Sequence, residues 1–127
     1  EKKYAGFETY KKSKLANVMF TYELAKRIEG TGITANCLHP GFVSTNFGKN
    51  NNIFWRNAIR LAMMLTAINV KDGAKTSIHL ACSEEVKNIT GKFFANSQVK
   101  KGSSKAKNEE HNAKLRELSE KMIEPFL

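Results

Sequence analysis

The chain has little cysteine, few histidines and no long apolar run, and each shortage removes a class of function. No stretch reaches the roughly 18 consecutive apolar residues that a membrane-spanning helix needs, so no transmembrane segment is expected in these residues. The opening residues, Glu1-Lys2-Lys3-Tyr4, lead into no signal-like apolar stretch. The two cysteines, Cys37 and Cys82, are too few and too far apart for a metal motif. Both sit in apolar segments, where the expectation is buried free thiols in a reducing compartment. His79 and His111 fall in separate helical patterns without ligand-spaced neighbours, and no metal is expected. Internal repeats and low-complexity tracts are absent. The sole Gly-x-Gly, Gly30-Thr31-Gly32, follows a helical pattern and precedes a strand pattern, the reverse of what a pyrophosphate cradle requires.

What is present is one domain's worth of sequence: 127 residues, 41% of them hydrophobic. The formal charge of +9 raises the question of a polyanionic partner, but the excess is spread along the whole length. Only Lys100, Lys101, Lys105 and Lys107 cluster without an intervening acid, on a Gly-Ser stretch that reads as a solvated connection. No nucleic-acid partner is expected; a polyanion contact there would fade steeply with salt. The Asn88-Ile89-Thr90 glycosylation triplet reads as a chance occurrence.

From Glu8 to Glu29 there is no Gly or Pro, the composition favours helix, and Gly30 supplies a stop. Thr9 is the expected cap. Leu15, Val18, Met19, Tyr22 and Ala25 form one apolar set at helical spacing, and Ala16, Phe20, Leu24 and Ile28 a second, so the helix should be covered on two sides. Ile33 to Leu38, short, partly β-branched and stopped by Pro40-Gly41, reads as a strand. Ile53 to Ile68 reads as a helix covering an apolar pocket. Asp72 is the expected cap of a helix running to about Ser83. Gly91 to Asn96 reads as a second strand, and Ala106 to Ile123 as a charged surface helix. This order indicates an α/β layered fold.

The chemistry concentrates at two places. In Tyr10-Lys11-Lys12-Ser13-Lys14 the phenol and an ammonium leave one face of a helix a turn apart. A phenol is a poor base at neutral pH, and a neighbouring cation favours its ionised form and fits it for proton exchange with an alcohol or carbonyl oxygen. The second place is His39-Pro40-Gly41-Phe42-Val43-Ser44-Thr45, directly after a strand, where α/β sheets bind ligands. Proline stiffens such a turn, and glycine permits close approach of backbone to ligand.

Taken together in order and spacing, these residues resemble the short-chain dehydrogenase/reductase family. Tyr10 and Lys14 match its active-site pair, and Pro40, Gly41, Val43 and Thr45 match its proline-glycine cofactor loop. The segments FETYKKSKLANVMFTYELAKRIEGTGITANCLHPGFVST, GAKTSIHLACSEEV and TGKFFANS are similar to its retinol dehydrogenase branch. The resemblance implies the C-terminal half of a Rossmann-type doubly wound parallel sheet, namely its last two strands with flanking helices. Residues 1–127 would then be the catalytic and substrate-binding part of a single domain.

The implied activity is oxidation of alcohols or reduction of carbonyls with NADP or NAD, on hydrophobic substrates such as retinol or retinal. Tyr10 would exchange the proton. Lys14 would hold the nicotinamide ribose, the Val43 backbone would meet the carboxamide, and Thr45 would approach the carboxamide or pyrophosphate. The glycine-rich turn, catalytic serine and supporting asparagine of the family would precede Glu1, leaving this stretch inactive by itself. The resemblance also implies a homodimer through the first helix, in the cytoplasm or on a membrane reached through an upstream segment. The competing expectation is a non-catalytic interaction module that works through its apolar helix or basic tail.

Overall fold

The computed structural model describes residues 6–43 and 67–127. The longest element is helix α1, Gly6–Arg27. It begins three residues before Thr9, which therefore lies inside the helix and does not cap it. Glu8 in its first turn and Lys26 and Arg27 in its last suit the helix dipole. The helix stops where Gly30 takes a left-handed φ of 79°. There the Thr31 amide and hydroxyl both donate to the Ile28 carbonyl, at 3.1 and 2.6 Å, covering an acceptor the helix leaves open.

Three short strands follow: β1 Cys37–His39, β2 Phe93–Ala95 and β3 Gln98–Lys100. They form one sheet in that order. The Gly91 amide donates to the Ala35 carbonyl at 2.8 Å and the Cys37 amide to that of Lys92 at 3.0 Å. Residue numbers rise together in both segments, so the chain runs parallel into β1 and β2. Asn36 and Thr90 reinforce this register. The Asn36 amide group donates to the Ile89 carbonyl at 2.6 Å, and the Thr90 hydroxyl accepts from the Ala35 amide at 3.0 Å. The third strand was not expected, because Lys100 reads as part of a solvated connection. Asn96 and Ser97, at φ of 52° and 57°, make the two-residue turn that folds β3 back antiparallel on β2. The sheet is thus mixed, and the arrangement is a partial Rossmann-like α/β fold.

Helix α2 spans Val70–Cys82. Its cap is Asn69 and not Asp72. The Asn69 side-chain oxygen accepts from the Asp72 amide at 2.8 Å, while its amide group donates to the Asp72 carboxylate at 2.7 Å. An N-cap acts from outside the helix on the third residue inward, and Asp72 occupies that inner position. The last helix, α3, is Glu109–Ile123, capped by Asn108. It starts later than the sequence pattern indicates, because Ser104–Lys107 form a separate 3₁₀ turn.

The chain divides into two compact units, one of residues 1–37, 87–93 and 99–127 and the other of residues 38–86 and 94–98. In the first, α1 packs on α3 and on the 3₁₀ turn. Ala25 and Ala106 are buried, as is Asn112, whose amide group donates to the Ala106 carbonyl at 2.9 Å. Polar bonds hold the helices as well. Arg27 bonds the buried Glu23 at 2.7 Å and reaches Glu120 on α3 at 3.4 Å. In the second unit Phe94 is 1% exposed, with the His79 ring 6.3 Å from its own. Nearby, Thr76 accepts the Ser97 amide at 3.0 Å. Both thiols are free, as the sequence indicates; Cys37 is half-buried and burial pushes its thiol up, but Cys82 is exposed. Cys82 is the last residue of α2, whose buried residues are Gly73 and Thr76.

Lys26 and Glu109 form an ion pair at 2.7 Å between α1 and α3. The hydrogen bond between them holds the Glu109 carboxyl below its ordinary range and the Lys26 ammonium above its own. A depressed carboxylate contributes stability that is present above its unfolded value and lost as pH falls through the folded one. A raised lysine contributes stability lost as pH rises through its folded value. The pair therefore acts between those limits. Glu109→Gln is expected to lower the melting temperature slightly near neutrality and by less at about pH 3, as the carboxylate takes up its proton. Melts followed by circular dichroism at both pH values, at low and high salt, check this.

Candidate functional site

Tyr10 and Lys14 both lie on α1, whose unbroken helical pattern places them one turn apart on the same side. The Lys14 Nζ stands 5.4 Å from the centroid of the Tyr10 ring, within cation–π reach. Tyr10 is 43% exposed and Lys14 is exposed. Ser13, between them, donates to the Tyr10 carbonyl at 2.8 Å, the local bond of a helix serine. One exposed face thus carries a phenol and a positive charge a turn apart.

Pro40, Gly41 and Val43 fall in the second unit, directly after β1, where the sequence pattern places them. Gly41 has a φ of 87°, which a side-chain-bearing residue adopts only with strain. Val43 forms an isolated parallel bridge with Ile68, in which the Ile68 amide donates to the Phe42 carbonyl at 2.9 Å. In extended chain the amide and carbonyl of one residue point opposite to the carbonyl before it. The peptide groups of Val43 are therefore directed away from Ile68. Thr45 lies outside the described residues, as does the expected helix of Ile53 to Ile68 except for its end. His39 is exposed at the end of β1. Tyr10 with Lys14, and Pro40 with Gly41 and Val43, belong to different units.

One residue that positions this loop was missed from the sequence. Gly73 is buried in the first turn of α2, and a Cβ added there would lie 2.5 Å from the Val43 Cγ2. A glycine inside a helical pattern costs about 1 kcal/mol relative to alanine, and that penalty was the available signal of a packing reason. Gly73→Ala is expected to destabilise the chain by about 1–3 kcal/mol through overpacking. Val43→Ala in the same chain removes the obstructing methyl groups and should recover most of the loss. Urea denaturation of the two single variants and the double variant measures the coupling.

Among the described residues no group of three or more histidine, cysteine or acidic side chains could hold a metal ion. None of their helices is long and apolar enough to cross a membrane.

Comparison with known proteins agrees with the resemblance. A family profile described as short chain dehydrogenase matches residues 1–54, which include Tyr10, Lys14 and the Pro40–Thr45 loop. Retinol dehydrogenase 14 of Mus musculus is 40% identical over 125 residues, covering 97% of this chain and 37% of that protein. The Homo sapiens protein of the same name is 40% identical over 128 residues, with the same coverage. Retinol dehydrogenase 12 of Homo sapiens is 38% identical over 111 residues, 85% of this chain and 34% of that protein. The chain is thus short-chain dehydrogenase-like over residues 1–54 and retinol dehydrogenase-like over nearly all its length, and it spans little more than a third of the length of those relatives.

Proposed function

We infer that this chain contributes the proton-exchanging and cofactor-holding residues of an oxidoreductase that interconverts alcohols and carbonyl compounds with a nicotinamide dinucleotide. The observation that carries the reading is the Tyr10–Lys14 pair on one exposed face of α1, inside the stretch the family profile matches. Residues 1–127 are then the catalytic and substrate-binding part of one domain.

The donor set present fits a dinucleotide. The Lys14 ammonium offers three hydrogen-bond donors to ribose hydroxyls. The outward-turned peptide groups of Val43 offer a donor and an acceptor, the pattern that a carboxamide complements. Gly41, at a φ of 87°, turns the chain after β1 and so sets the course of the loop, and Thr45 adds a hydroxyl. The bound dinucleotide supplies or accepts the hydride at the substrate carbon.

The chain's own part is the proton. In carbonyl reduction Tyr10 Oη donates its proton to the substrate oxygen as that oxygen gains charge, leaving a phenolate. In alcohol oxidation the phenolate takes the hydroxyl proton back. Lys14 stabilises the phenolate by its charge and holds the ribose so that the reacting carbon stays near Tyr10. NADP is the preferred dinucleotide in this reading, with NAD the alternative. The relatives' names point to retinol and retinal as substrates, which suits a hydrophobic alcohol or aldehyde. A homodimer through α1 belongs to the same reading, since Phe7 and Phe20 stand exposed along it.

The test is turnover of the longest protein that the transcript encodes, with NADPH or NADP and with NADH or NAD, against retinal, retinol and short-chain aldehydes. Dinucleotide-dependent conversion of retinoid well above that of short aldehydes supports the reading. Conversion of none of them overturns it.

A further inference from the structure

The first unit contains a second feature, a cleft of about 760 Å³ at the end of α1 away from Tyr10. Tyr10 and Tyr22 are twelve positions apart on this helix, so about 18 Å of helix axis separates them at 1.5 Å per residue. The cleft is bounded by the last turns of α1, the segments flanking β2 and β3, and the start of α3. Its walls are of two kinds. Tyr22, Phe93 and Val99 give it apolar surface, and the backbone of Gly102 comes so close to the Tyr22 hydroxyl that a Cβ there would collide with it. Burial pushes the Tyr22 phenol up, so it remains a neutral donor across the physiological range.

The rest of the lining is charged, and unevenly so. Five lysines and three glutamates line the cleft. Glu109 is matched by Lys26, Glu23 is held by Arg27, and Glu29 adds its field to that of Glu109 on Lys26. Among the described residues no ion pair joins Lys92, Lys101 or Lys107 to a carboxylate, though all three face the same space. Positive charge left unmatched in a concave site raises the local concentration of anions.

We propose that this cleft binds a small amphipathic anion, an aromatic or aliphatic body carrying a phosphate or carboxylate. The body rests on Phe93, Val99 and the Tyr22 ring, and the anionic group lies among the ammonium groups of Lys92, Lys101 and Lys107. The site uses neither Tyr10 nor the Pro40–Thr45 loop, so it stands or falls apart from the proposed reaction.

The experiment titrates the isotopically labelled full chain with phenyl phosphate, inorganic phosphate and benzyl alcohol at constant ionic strength, following amide resonances. Phenyl phosphate is expected to saturate, with shifts concentrated at Tyr22, Lys92, Val99 and Gly102. Inorganic phosphate, lacking the body, and benzyl alcohol, lacking the charge, should each bind at least about tenfold more weakly. The triple variant Lys92→Gln, Lys101→Gln, Lys107→Gln should weaken phenyl phosphate by about tenfold or more, whereas Lys12→Gln, Lys71→Gln, Lys114→Gln, equal in charge lost, should barely change it. Val99→Asp, a single change at an exposed position, should also weaken it. Equal loss in both triple variants would reduce the effect to overall charge and overturn the proposal. So would inorganic phosphate binding as tightly as phenyl phosphate, or shifts scattered outside the cleft.

Discussion

Tyr10→Phe in the longest encoded protein lowers kcat by about 100- to 10,000-fold, the range that a positioned general acid–base supplies, and leaves dinucleotide affinity nearly unchanged. Phenylalanine keeps the ring that Lys14 overlies at 5.4 Å, so α1 and the ammonium stay in place while the hydroxyl that would exchange the proton is removed. Lys14→Met should behave differently. It removes the charge that favours the phenolate together with the donors for the ribose, so kcat falls and the KM for dinucleotide rises. Steady-state kinetics of both variants across pH separate the two roles. Equal effects on kcat and KM from both substitutions would remove the distinction between proton donor and cofactor holder.

Phe94→Ala is the substitution with the largest expected effect on stability, about 3–5 kcal/mol. Its side chain is 1% exposed and is the largest fully buried one among the described residues, in a unit whose other buried residues are small. A loss of that size is a large share of the roughly 5–15 kcal/mol that holds a typical domain folded. Phe126, in contrast, is 86% exposed, and Phe126→Ala should stay within about 0.5 kcal/mol. Urea midpoints of the two variants, read with the slope m, distinguish a hole in the core from a change at the surface.

Where the sequence is legible, a strong local signal and the tertiary structure agree. The helix through Tyr10 and Lys14 has no Gly or Pro in its interior and ends at Arg27, shortly before Gly30, so the spacing that brings phenol and ammonium together could be read directly. The Pro40-Gly41 turn after β1 is equally local. The misses are places where two readings were locally equivalent. Both Asn69 and Asp72 are good caps by type, and only their mutual bonds decide which one stands outside the helix. Asn96-Ser97 is an acceptable hairpin turn, but the lysines after it look like a solvated run until Val99 and Lys100 are seen to pair with β2. Gly73 depends on Val43, thirty positions away, and such contacts leave little local trace.

The reading of this chain as part of a dehydrogenase rests finally on where the hydride goes. The most direct measurement is transfer of deuterium to retinal from a reduced nicotinamide dinucleotide carrying two deuteriums at C4, in the longest encoded protein and in its Tyr10→Phe variant, with the product alcohol analysed by mass spectrometry. One deuterium in the retinol formed by the unaltered protein, with product from the variant reduced by about 100-fold or more, is the predicted result. Retinol free of deuterium, or the same yield from both proteins, would contradict it.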